Sequence, residues 1–325
     1  GIHNTKYGEP ERTYPDNYNT PMRVLFLFLD GIGLGADDPA SNPFTAANLP
    51  TLTALAGGRL LAGLPRTESE RAVFIPTDAG LGVPGLPQSA TGQAAILTGR
   101  NAPAELGKHW GPKPDAATAA LIVESTLFRA LVERGRTAAL LNAYPPRYFQ
   151  AIGSGRRNYS AIPLAVTAAG LPLFTDDDLL AGRALSADFT GAGWRTELGY
   201  PNAPVYSPAQ AGGKLAQLAR HYDFAFFEHW PTDLAGHRGA LADGVRLLEG
   251  FDAVLARLLA DWRDEDGLIV LTSDHGNLED LTHRHHTGNL VPTLIIGPDP
   301  ARRAFATGLS DLTGFAPAIL RALAD

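Results

Sequence analysis

Short apolar runs that stop abruptly in a turn alternate, along this chain, with longer stretches whose apolar positions recur every three or four residues. Residues 22–29 (MRVLFLFL), 71–75, 137–144, 223–228 (DFAFFE), 268–271 (LIVL) and 291–297 (VPTLIIG) are the runs, and their length and apolar character predict buried strands. Helical spacing marks 126–135, 209–221, 241–262 and 309–323, a capped helix start stands at 48–55, and a small-residue turn at 88–92 leads into a helix. Strands alternating with helices predict an α/β fold in which a mostly parallel sheet carries helices on both faces. No internal repeat breaks this order.

The pattern weakens between 145 and 204, where Gly and Pro residues, Arg156-Arg157 and the acidic run Asp176-Asp177-Asp178 fall. We expect a small cap or lid there, inserted between two core segments, 22–144 and 205–325. The Asp run is read as a solvated helix start rather than a Ca²⁺ site. Residues 1–21 are polar, without period and rich in Pro, Asn and Tyr, and Met22, the sole methionine, directly precedes the first strand. This stretch is read as a disordered tail or an expression remnant outside the fold.

The turns at the strand ends carry the candidate chemistry. Ligands in open α/β sheets sit at the carboxyl ends of strands. There the chain places Asp30 after the first run, the Gln88-Ser89-Ala90-Thr91-Gly92 turn, Asp233 and His237 after the 223–228 run, and Asp274-His275 after 268–271, with His286 eleven residues on. Asp233 and His237 are four apart, so one helical turn puts both on one face. The Gly-rich turn Asp30-Gly31-Ile32-Gly33 could be taken for a dinucleotide fingerprint, but its Asp would repel a pyrophosphate and suit a cation. Ser89 at a helix start reads either as a cap or as part of a phosphate site with free N–H groups and a positive dipole end. Together these side chains make enough ligands for two divalent ions and leave one hydroxyl over. Two such ions about 4 Å apart can clamp the attacking and leaving oxygens of a phosphoryl transfer. A serine hydroxyl activated beside them becomes a nucleophile.

Composition narrows the alternatives. With 325 residues, 45% hydrophobic and 19% charged, the chain has ample material for a core. A net charge of −7 without a basic block argues against nucleic acid and anionic membrane surfaces as partners. The absence of cysteine removes thiolate ligands, a thiol nucleophile and disulfides. No apolar run reaches the ~18 residues of a membrane span, and no signal-peptide pattern is present, so a cytoplasmic protein is the expectation. The oligomeric state leaves no mark on the sequence.

The order Asp, Ser/Thr, Asp-x-x-x-His, Asp-His, His resembles the alkaline phosphatase superfamily, and within it the metalloenzyme branch of cofactor-independent phosphoglycerate mutases and phosphopentomutases. The resemblance rests on Asp233-Leu234-Ala235-Gly236-His237-Arg238-Gly239, Asp274-His275-Gly276-Asn277-Leu278-Glu279, Gly85-Leu86-Pro87 with Ser89-Ala90-Thr91-Gly92, and His286-Thr287. It covers about residues 22–100 and 205–325. It implies an alkaline-phosphatase-like three-layer sandwich plus the small cap. It further implies one ion on Asp30, Ser89, Asp274 and His275 and another on Asp233, His237 and His286. Mn²⁺ is the metal it implies most often, with Zn²⁺ or Mg²⁺ as alternatives, and Ser89 is the residue that takes the phosphoryl group of a small phosphorylated substrate. Where the family mutases carry a His after the Gly of the nucleophile turn, this chain has Gln93. That departure and the small cap favour a phosphatase over a phosphomutase; a phosphodiesterase and a metal-binding scaffold without turnover remain as rival readings. A sulfatase is disfavoured because Ser89 is followed by Ala90, Thr91, Gly92 and Gln93, without the Pro and Arg that chemistry uses. Thr91 is a second candidate nucleophile, and Thr91, Gln93, Lys108, His109, Arg156 and Arg157 are candidate substrate contacts.

Overall fold

The computed structural model describes residues 22–324. The 1–21 stretch, expected from its composition to be a tail or remnant, lies outside the described residues. Seven strands form one sheet: β1 (Val24–Leu29), β2 (Thr67–Glu68), β3 (Ala72–Thr77), β4 (Ala138–Leu140), β5 (Phe224–His229), β6 (Leu268–Thr272) and β7 (Val291–Ile296), in the order β2-β3-β7-β6-β1-β5-β4. β1 pairs in parallel with β5 and β6, and β4 in parallel with β5. β7 runs antiparallel to both β6 and β3, and β2 antiparallel to β3, so the sheet is mostly but not wholly parallel.

Both faces of the sheet are apolar because successive side chains point to opposite sides. Val24, Phe26 and Phe28 of β1 join one core layer with Phe224, Phe226 and Val270. The helices Ser89–Thr98, Leu127–Glu133, Ala161–Ala168 and Phe315–Ala322 cover that layer. Phe26 stacks on Phe226 at 4.9 Å and meets the edge of Phe315 at 5.6 Å, contacts worth about 0.5–1.5 kcal/mol each beyond the area they bury. Leu25, Leu27 and Leu29 face the other way, against Ala225, Phe227, Ile269 and Leu271. The helices Pro50–Ala56, Pro208–Ala219 and Leu241–Asp261 close this second layer. In the last of these, Leu248, Phe251, Val254, Leu255 and Leu258 are buried at three- and four-residue spacing, the apolar stripe of an amphipathic helix. No helix among the described residues is long and apolar enough to cross a membrane.

Some elements differ from expectation for reasons that lie far away in sequence. The helix expected to be capped locally near residue 48 begins at Pro50, and its N-cap, Leu49, gives no side-chain bond. The carboxylate of Asp252 does that work instead, accepting from Thr51 N at 3.1 Å and Leu52 N at 2.8 Å. The closing helix starts late, at Phe315, after a 3₁₀ turn at Leu312–Gly314. The 137–144 run forms only the three-residue β4, since the backbone beyond it bonds to the expected cap: Ala143 N to Leu185 O at 2.8 Å and Tyr144 N to Phe174 O at 2.9 Å.

The 145–204 segment does two things. Its helix Ala161–Ala168 buries Ile162, Ala165 and Val166 in the first core layer. Farther on, Leu179, Ala184, Trp194 and Ala203 form a small cluster of their own with Ala143. The Asp run occupies the first turn of the helix Asp176–Leu180, where Thr175 and Asp178 make a reciprocal capping box. The register Leu29↔His229 and Phe28↔Thr272 brings the carboxyl ends of β1, β5 and β6 to one edge. Asp30, the helix after β5 and Ser273-Asp274-His275 therefore emerge side by side.

Candidate metal centre

Each chemical residue is placed by a short backbone device. Asp30 sits in the turn after β1, where Gly31 adopts φ +69° and a Cβ would press 2.6 Å from Asp233 Oδ1, so only glycine lets the two segments meet. Asp233 and His237 lie on the helix Pro231–Arg238. Asp274 and His275 follow β6 and are fully buried. His286 belongs to the loop that Thr287 N ties to Gly276 O at 2.9 Å. Ser89 opens the helix Ser89–Thr98, whose N-cap is Gln88, so its hydroxyl is not consumed as a cap.

The three imidazoles share one arrangement. His237 Nδ1 lies 3.0 Å from Arg284 O, His275 Nδ1 3.2 Å from Gly276 O, and His286 Nδ1 2.8 Å from Pro87 O. A carbonyl only accepts, so each Nδ1 donates, and a neutral ring so held turns a bare Nε2 inward, the tautomer of a metal ligand whose outer nitrogen is held. His237 Nε2 and His286 Nε2 face each other at 3.4 Å. Asp233 stands against both, Oδ2 3.3 Å from His237 Nε2 and Oδ1 3.7 Å from His286 Nε2. On the other side, His275 Nε2 lies 3.0 Å from Ser89 Oγ, 3.4 Å from Asp30 Oδ1 and 3.6 Å from Asp274 Oδ2. Two sets result, Asp233-His237-His286 and Asp30-Asp233-His275, with the ligand atoms of each within 4.8 Å of one another and Asp233 in both. Asp274 and Ser89 flank the second set through His275.

Electrostatics points the same way. Asp30 is held well above the usual carboxylate range, first by burial and then by Asp274 and Asp233. Asp274 is raised as well, again mainly by burial, with Asp233 adding repulsion and the Gln93 amide opposing. His275 and His286 are pushed down, both chiefly by burial. Asp30 Oδ1 is buried without a hydrogen-bond partner. Three crowded carboxylates and an orphaned buried oxygen cost free energy by themselves. A divalent ion in each set relieves both, so these residues fit a pair of metal ions.

The remaining candidates separate. Thr91 is fully buried, and its Oγ1 accepts from Trp110 N at 3.0 Å. That bond fastens the 109–111 segment to the helix Ser89–Thr98. Gln93 stands at the site, where its Nε2 donates to Asp274 Oδ2 at 3.0 Å. Lys108 pairs with Asp115 at 3.3 Å and lies over the Trp110 ring, while His109 Nε2 meets Val83 O at 3.1 Å. Arg156 bonds Ser154 Oγ at 3.1 Å, and Arg157 lies over the Tyr148 ring at 5.0 Å. Among the described residues, none of these four basic side chains pairs with the seven clustered at the sheet edge.

Other residues belong to the site that sequence reasoning did not single out. Asn277 Nδ2 donates to Asp233 Oδ1 at 2.6 Å, and Ser273 Oγ accepts from Ile32 N at 3.0 Å and donates to His275 O at 3.1 Å. Glu228, at the end of β5, accepts from Tyr144 Oη at 3.1 Å and is raised to about 7, mainly by burial. Asn277 stands inside the Asp-His-Gly-Asn segment, which signalled it; Glu228 is the single carboxylate closing an apolar run, a signal available but weak.

Residues 206–323 match the Metalloenzyme superfamily. The 2,3-bisphosphoglycerate-independent phosphoglycerate mutase of Methylobacillus flagellatus is 34% identical over 130 residues, 37% of this chain and 25% of the mutase. The chain thus spans about a quarter of the length of the curated relatives it matches. In three dimensions it is similar to the PH0037 protein from Pyrococcus horikoshii, with TM-score 0.56 and 17% identity over 93% of this chain and 97% of that one. It is also similar to the cold-active alkaline phosphatase of a Shewanella species, with TM-score 0.50 and 12% identity over 94% and 100%. The fold is therefore alkaline-phosphatase-like and the C-terminal third carries a metalloenzyme sequence. Residues 206–323 are thus similar to metalloenzymes, and the whole chain shares its fold with alkaline phosphatases.

Proposed function

We propose that the chain transfers the phosphoryl group of a small phosphate ester to Ser89 and then to water, as a metal-dependent phosphatase. The observation that carries this reading is the convergence of three bare Nε2 atoms and the Asp30, Asp233 and Asp274 carboxylates beside the Ser89 hydroxyl. Asp30, Asp274 and His275 with Ser89 would hold one divalent ion, and Asp233, His237 and His286 the other. A mixed imidazole and carboxylate set suits Mn²⁺ or Zn²⁺, with Mg²⁺ as a further candidate. Bound there, divalent ions supply Lewis acidity and make a nearby hydroxyl a stronger nucleophile at neutral pH.

The chain's own residues supply the rest. Ser89 Oγ, 3.0 Å from His275 Nε2, stands beside the carboxylate cluster. The helix Ser89–Thr98 aims its positive end at the same place. Ser89 Oγ gives up its proton to solvent and forms a bond to phosphorus, the ester P–O bond breaks, and the leaving oxygen takes a proton from solvent. Water then attacks the phosphoserine, releasing phosphate and returning the serine hydroxyl.

A mutase must also hold the dephosphorylated, commonly anionic, product for return transfer, and that calls for cationic groups at the site. The engagement of Lys108, His109, Arg156 and Arg157 elsewhere supports hydrolysis over isomerisation. The second reading, a phosphomutase, is favoured by the similarity of the C-terminal segment to phosphoglycerate mutases. Phosphorus NMR on the Mn²⁺-loaded protein with phosphoglycerates, sugar phosphates and nucleotides separates the two. We expect free phosphate from at least one ester; a phosphate that migrates along its substrate establishes the mutase instead.

A further inference from the structure

Glu279 is a buried acid that the proposed chemistry does not use. Its carboxylate is 1% exposed and surrounded by four donors. Gly33 N at 2.9 Å and Asn277 N at 2.8 Å donate to Oε2; Thr287 Oγ1 and, at 3.0 Å, Asn289 Nδ2 donate to Oε1. A carboxylate is acceptor-only with about four lone-pair sites, so the match is complete. The backbone is shaped around it: a Cβ at Gly33 or Gly276 would run into its oxygens.

The donors come from three separate segments, each carrying a proposed ligand. Gly33 lies three residues after Asp30, Asn277 two after His275, and Thr287 directly after His286. Asn277 in turn holds Asp233 Oδ1 through its side-chain amide at 2.6 Å. One side chain thereby links the turn after β1, the turn after β6 and the loop before β7, and through Asn277 reaches the helix after β5.

We infer that Glu279 is a positioning residue that fixes the spacing of the ligand-bearing segments and so sets the affinity of the centre for divalent ions. The inference rests on the two-ion reading of the site. Reach, rather than charge, is the property it uses. Glutamine keeps the reach: its amide oxygen can accept from Gly33 and Asn277, and its NH₂ can donate to the Thr287 hydroxyl and to a flipped Asn289. Aspartate keeps the charge but withdraws the carboxylate by one methylene.

The test compares Glu279→Gln and Glu279→Asp in the full chain, with Mn²⁺ affinity from calorimetry, the spin-coupled signal of a Mn²⁺ pair from EPR, and melting temperature in EDTA. Glu279→Asp is expected to lose about 10–100-fold in Mn²⁺ affinity, as when an outer partner that orients a ligand is lost, and to weaken the pair signal. Glu279→Gln is expected to recover most of that loss. If Glu279→Gln binds Mn²⁺ no better than Glu279→Asp, charge and not reach sets the affinity, and the inference is wrong. If both variants only melt lower in EDTA and bind Mn²⁺ like the parent, Glu279 is a fold residue and the inference is again wrong. A parent protein that takes up no divalent ion overturns the two-ion reading and the inference together, and is recognised before any variant is compared.

Discussion

Asp233→Asn should move the stability of the metal-free and the metal-loaded protein in opposite directions. In the metal-free protein Asp233 repels Asp30 and Asp274, and both are raised in part by its charge. Asp30 and Asp233 ligand atoms lie within 4.8 Å, where two unit charges at an effective dielectric of ~20 repel by about 3 kcal/mol. A carboxyl whose folded pKa is raised keeps its proton to higher pH, so its neighbours already relieve part of this. On the order of 1 kcal/mol remains to be gained at pH 8. The asparagine keeps an Oδ1 for the Asn277 amide and can turn its NH₂ toward the bare His237 Nε2, 3.3 Å from the oxygen it replaces. No hydrogen bond is lost, and the EDTA-treated variant should melt roughly 2 °C above the parent. With Mn²⁺ at about 100 times the parent's dissociation constant, the parent gains about 2.7 kcal/mol. Loss of a side chain common to both ligand sets should weaken binding at least ~100-fold, the upper range for an outer partner alone. The variant's gain then falls to about 0.4 kcal/mol. Differential scanning fluorimetry at pH 8, with EDTA and with Mn²⁺, reads both effects. A variant that melts lower than the parent in EDTA, or keeps the full Mn²⁺ gain, refutes the reasoning.

Two other residues give further tests. Glu228 is raised to about 7, so the stability it contributes is present below the ordinary glutamate pKa and is lost as pH rises through 7. Glu228→Gln should therefore raise the melting temperature at pH 8, by about 3 kcal/mol of stability, and by about 1 kcal/mol or less at pH 5; an equal shift at both pH values contradicts this. Thr91→Val removes the acceptor for Trp110 N and should cost about 1–3 kcal/mol on urea unfolding, with turnover lowered far less than the orders of magnitude expected for a nucleophile.

The strands and the edge they share could be read in the sequence because buried parallel strands are written as short apolar runs and their ends as abrupt polar turns. The 268–271 run and the Ser-Asp-His just after it are the clearest case. Asp233 and His237 were legible by helical spacing alone. What could not be read depends on partners far along the chain. Nothing near residue 50 announces that Asp252 caps its helix, and nothing near Thr91 announces Trp110 N. Gln93 is a substrate-side candidate because it stands where the resembling mutases carry a His; nothing near it announces that its amide reaches Asp274, 181 residues away. The reversed direction of β7 was equally hidden, since an apolar run of six residues reads the same in either sense.

Whether Ser89 carries the phosphoryl group tests the account most directly. The Mn²⁺-loaded protein turning over p-nitrophenyl phosphate would be quenched in acid, digested and sequenced by mass spectrometry. The account predicts one phosphopeptide with the phosphate on Ser89, absent from Ser89→Ala. Phosphate on Thr91, or turnover without any phosphopeptide, would contradict it.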